Sequence, residues 1–123
     1  MLTQDWIMHE IETLTLSIAK IVFQKDTTDY TMTQGEESSV LSEADDLYVA
    51  LLALTEEHRF DEAENMLFDC LDVEDPAFLD VANDFYYRLN CLSNQELAAG
   101  NFSRQEIQDG LNDVIEQFGI VLP

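Results

Sequence analysis

The stretch TQDWIMHEIETLTLSIAKIVFQK, residues 3–25, decides the fold class. Its Ile7, Ile11, Leu14, Ile18 and Ile21 recur at alternating spacings of four and three, which lines them along one side of an α-helix. A half-buried strand would instead place apolar residues at every second position. Trp6, Ala19, Val22 and Phe23 widen the stripe beyond a narrow coiled-coil seam, so the helix is expected to touch more than one neighbour. Asp5 and Glu10 near its start and Lys20 and Lys25 near its end complement the helix dipole.

Beyond this helix, residues 26–41 (DTTDYTMTQGEESSVL) are rich in Thr, Ser and Asp, contain Gly35 and have no periodicity. They are expected to form a long, partly mobile linker, with Tyr30 and Met32 as the side chains able to tack it down. A helical body should occupy residues 42–119. Ser42 with Asp45 has the form of a helix start, ahead of Leu47, Leu51 and Leu54 on one face. After His58 and Arg59, Ala63, Met66, Leu67, Cys70 and Leu71 repeat at helical spacing, so the two segments should fold back as an antiparallel hairpin. Pro76, capped by Asp75, opens a helix whose buried stripe is Phe78, Leu79, Ala82, Phe85, Tyr86 and Leu89. Gly100 is placed to end a short helix over 94–99 or a continuation of the preceding one, and Ser103 with Glu106 forms a capping box before a last helix stopped by Gly119. Gly110 inside that helix points to a close approach by a neighbouring backbone.

These elements add up to an all-α helical bundle of about five helices in one domain spanning 1–123. The length of 123 residues suffices for a core without metal or disulfide, and four Gly and two Pro leave long stretches free of helix breakers. Cys70 and Cys91 lack the clustered spacing of zinc ligands and are expected as small buried apolar side chains.

Residues 44–75 resemble one tetratricopeptide repeat, most clearly in Phe60-Asp61-Glu62-Ala63, Leu67 and Cys70-Leu71. Two positions depart from the repeat: Leu51 stands where it has a small residue, and His58 where its turn has glycine. The opening, Gln4-Asp5-Trp6-Ile7-Met8 through Ile18-Ala19-Lys20-Ile21 to Lys25-Asp26, is similar to a family of small bacterial helical proteins of unknown function. That resemblance implies an all-helical domain and brings no catalytic residues.

Charge narrows the function classes. Twenty-six acids face five bases for a net charge of −21, yet residues 1–25 hold only three of those acids and two of the bases. Nearly all the acidity therefore belongs to residues 26–123. Without clustered Lys and Arg to release counterions, conventional nucleic-acid binding is excluded. No apolar run has membrane-spanning length, and acids stand where a secretory signal would be basic, so no membrane partner and a cytoplasmic location are expected.

His9-Glu10 lacks the second histidine of a helical zinc site, and the acid runs 43–46 and 72–75 lack the ligand alternation of a calcium loop. No phosphate-binding glycine loop or nucleophile elbow appears. No catalytic, cofactor-binding or metal-binding residue is nominated. The expectation is a non-enzymatic protein–protein interaction module whose apolar N-terminal helix either caps its own core or pairs with a second copy as a homodimer. Trp6, Ile7, Ile11, Leu14 and Ile18 are the candidate partner-binding residues. The alternatives are an acidic decoy that mimics a nucleic acid toward a basic partner, and an enzyme using carboxylates or a metal.

Overall fold

The computed structural model describes residues 2–32 and 42–122, with side chains from residue 6 onward. Six helices follow one another: α1 Leu2–Phe23, α2 Glu43–Glu56, α3 Phe60–Cys70, α4 Pro76–Cys91, α5 Asn94–Ala99 and α6 Arg104–Phe118. The sixth arises because the chain leaves the helix at Leu92, and Ser93 opens α5 with a full capping box to Glu96. The starts of α2, α4 and α6 follow local chemistry in the same way. The Ser42 side chain accepts from the Asp45 amide, Asp75 from Ala77, and Ser103 from Glu106, so free amides of each first turn are satisfied. Gly119 closes α6 in the left-handed conformation at φ 67, which glycine adopts without a Cβ penalty.

Helix α4 is the hub, packed against α1, α2 and α6, while α2 and α3 form the expected hairpin and α1 also lies on α6. Its apolar stripe is buried: Phe78, Leu79, Val81, Ala82, Phe85, Tyr86 and Leu89 all belong to one core cluster with Ile7, Ile11 and Ile18 of α1 and Ile107, Leu111 and Val114 of α6. Two amides lock α1 onto α4 across this apolar contact. Asn83 Nδ2 donates to the Thr15 carbonyl at 2.9 Å and Asn90 Nδ2 to the Met8 carbonyl at 2.9 Å. Arg104, buried at the start of α6, donates to the carbonyls of Asn90 (2.9 Å) and Leu92 (2.7 Å), so a guanidinium closes the carbonyl end of α4.

The segment 24–32 is tied down along α4. Lys25 Nζ reaches both Asp80 carboxylate oxygens at 3.0 Å and the Asp29 carbonyl at 2.7 Å. The Tyr30 amide donates to Asp84 Oδ2 at 2.7 Å and its hydroxyl to Asp45 Oδ1 at 2.6 Å, and the ring is buried. Tyr30 and Met32, the tacking residues expected in the linker, both pack on the core. The rest of the expected linker, 33–41, lies outside the described residues.

Gly110 does face a close approach, but the neighbours are side chains and not backbone. A Cβ there would overlap the Tyr86 hydroxyl and the Glu64 carboxylate, which are hydrogen-bonded to each other at 2.7 Å. Gly110→Ala should therefore destabilise the protein by about 1–3 kcal/mol in spite of alanine's better helix propensity. Chemical denaturation reads this directly, and a gain in stability would contradict the packing. Replacing Ile11 and Ile18 together by Asp places two unpaired carboxylates at positions with no solvent exposure. At several kcal/mol each against a total stability of about 5–15 kcal/mol, global unfolding by circular dichroism is the expected result. A folded variant would show that the Ile seam does not belong to this core.

Candidate functional site

Of the five nominated partner-binding residues, Ile7, Ile11 and Ile18 are buried by the chain's own α4 and α6, and Leu14 packs against them partly buried. Pairing of two copies through that seam would need the same side chains twice. Trp6 alone stays out, at 62% exposure, and Ile21 points outward at 45%. These two lie about 22 Å apart along the helix and do not form a patch. The seam was legible in the sequence; what covers it was not, since α4 supplies its polar half through Asn83 and Asn90.

The electrostatics follow from where the five bases go. Lys25 is held by Asp80, Arg88 by Asp84 and the Tyr48 hydroxyl, Arg104 by Asn90 and Leu92, and Arg59 by Glu57 and Glu62. Exposed Lys20 is the one base without such a partner among the described residues. Burial works against the Arg88 charge, but Asp84 outweighs it and holds the guanidinium firmly protonated. Acids, by contrast, are exposed on α1, α2, α3, α5 and α6. The outer surface is thus close to a single sign.

Several depressions interrupt it, three of which gather acids or thiols. The first, of about 410 Å³, lies between α2, α3 and α4; Leu47, Ala50, Met66 and Phe78 form its apolar part, Glu43 and Asp46 its polar rim, and Cys70 opens into it. The second, of about 460 Å³, is lined by Asp29, Leu52, Thr55, Glu56, Tyr87, Arg88, Cys91 and Leu92. It is as roomy but mixes acids with the Arg88 guanidinium. The third, of about 220 Å³, gathers Glu64, Glu106, Asp109 and Asp113 beside Gly110 and Phe68. Both cysteines are exposed free thiols, contrary to the expectation of buried ones. Each sits on the outer flank of its helix and opens into one of the two larger grooves.

Among the described residues no group of three or more His, Cys, Asp or Glu is placed to hold a metal ion, and no helix is long and apolar enough to cross a membrane. His9 stands exposed beside Glu12 at 3.8 Å, away from the grooves.

Two carboxyls are raised, chiefly by burial. Burial, and then the like charges of Glu106, Asp61 and Asp113, push Glu64 up against the pull of the Tyr86 hydroxyl; burial likewise pushes Asp80 up although Lys25 opposes it. A carboxyl whose folded value exceeds its unfolded one favours the fold below the unfolded value and loses that contribution as pH rises through the folded one. Glu62, held low by Arg59, acts in the opposite sense only near the ordinary carboxylate range. The melting temperature should therefore rise as pH falls from 8 toward the upper edge of that range. Glu64→Gln, which keeps an acceptor for Tyr86, should raise it at neutral pH and flatten the rise. Loss of stability over that interval would contradict the assignment.

No curated protein and no solved structure matches the chain. A family model does match, over residues 1–119, in accord with the resemblance carried by the opening residues. Nearly the whole length, from the first turn of α1 to the Gly119 stop, is covered, and the chain belongs to DUF6483, a family of unknown function.

Proposed function

We propose that this protein is a non-enzymatic protein–protein interaction module whose partner presents a basic surface. The observation that carries the reading is the disposition of the bases: four of five are engaged by acceptors of the chain itself, leaving a net charge of −21 to be expressed outward. A surface of one sign raises the local concentration of an oppositely charged partner and accelerates its encounter. The repeat-like α2–α3 hairpin supplies what charge alone does not, an apolar groove in which a partner's side chains can be desolvated. That groove favours a recognition module over a decoy that imitates only phosphate charge. Pairing of two copies is the weaker reading, because the α1 seam is already covered and two such chains repel each other.

The test uses a three-turn helical peptide with Leu on one face and Lys on the other, and a counterpart with Glu in place of Lys. Fluorescence anisotropy should show the Lys peptide binding, with affinity falling steeply as salt rises, and no binding of the Glu peptide. Equal binding of both, or of neither, would overturn the reading.

A further inference from the structure

We infer that the groove between α2, α3 and α4 is the docking site for a basic amphipathic helix of the partner. This rests on the partner being basic, and it assigns the place and form of contact. The apolar part of the groove comes from three helices: Leu47 and Ala50 of α2, Met66 of α3 and Phe78 of α4, where Met66 is the adaptable one. No base lines it, whereas Arg88 sits in the other groove of comparable size. The hairpin topology sharpens the charge further. Because α2 and α3 run antiparallel, the start of α2, with Glu43 and Asp46, shares one end with the close of α3, where Asp69, Asp72 and Glu74 are exposed. Two acid runs separated in sequence thus lie at the same end of the hairpin, of which Glu43 and Asp46 line the groove itself.

The end of α3 adds an independent pull on cations. Its cap residue Leu71 is extended, and its last turn has no basic side chain. The negative end of the helix dipole there lies beside exposed Asp69, with no base in its last turn to offset it. A Lys or Arg of a partner would meet that end of the dipole and the acids together. The occupant is a helix and not an extended strand, because the groove walls are helices whose backbone bonds are already made and offer no sheet edge. The lining runs from Glu43 to Ala50 along α2, about 10 Å, which takes about two turns of a docked helix.

The two native thiols report the location without any substitution. Alkylation by N-ethylmaleimide is followed site by site in the full chain, with and without the Lys/Leu helix peptide and a scrambled peptide of the same composition. At about ten times the dissociation constant, Cys70 labelling should slow about tenfold while Cys91 is unchanged. The scrambled peptide should give little protection. Glu43→Gln with Asp46→Asn should weaken binding about three- to tenfold, and Asp113→Asn with Glu116→Gln on α6 should not. A peptide that binds without protecting Cys70, or that is weakened equally by both pairs of substitutions, would overturn the groove while leaving the basic partner standing. Equal protection by the scrambled peptide would overturn the helix. Absence of any binding would remove the reading on which the groove rests.

Discussion

One buried carboxylate organises this molecule. Asp84, at 1% exposure in the middle of α4, must be paired, since an unpaired charge in the interior costs several kcal/mol. It receives the Tyr30 amide, the Tyr48 hydroxyl and the Arg88 guanidinium, so a single side chain joins the segment after α1, helix α2 and its own helix. Tyr30 extends the network to buried Asp45, and burial together with that carboxylate keeps its hydroxyl protonated well above the ordinary range. Such a network is stabilising only when complete, and here each member has its partner.

The same constraint shapes the exterior. A chain with five bases that uses Arg88 and Lys25 to neutralise carboxylates on α4, and Arg104 to close that helix, has only Lys20 and Arg59 left for its surface. Interior pairing and a one-sign exterior are two sides of one allocation. The function we propose rests on the second side: exposed acids would select the sign of a partner, and the apolar groove beside Glu43 and Asp46 would give it somewhere to bury side chains.

Local chemistry was legible in the sequence and tertiary choices were not. Ser42, Asp75 and Ser103 mark helix starts because capping depends on residues three or fewer positions away. The Ile seam of α1 was equally plain, but periodicity says only that a face is covered, never by what. Asp45, Asp84, Asn83, Asn90 and Arg104 were missed because a polar residue within an apolar stripe looks the same whether it faces water or a buried partner 54 or 68 positions away. The one usable signal was scarcity, since so few bases make each a candidate for internal pairing. The groove could not be read either: Met66 and Cys70 share a stripe with buried Ala63 and Leu67, and periodicity does not say which part of a stripe the neighbours leave uncovered. His58 shows the limit of a motif, because the turn does require a left-handed residue (φ 59), as the repeat's glycine would supply, yet histidine fills it and stacks on Phe60 at 5.6 Å.

That α1 belongs to the same cooperative core, held through α4 and not through a second copy, is most directly tested by native-state hydrogen exchange. Amides of residues 11–19 should be protected to the same free energy as those of residues 79–89 on α4, at all protein concentrations. Rapid exchange in α1 while α4 stays protected, or protection that grows with concentration, would contradict it.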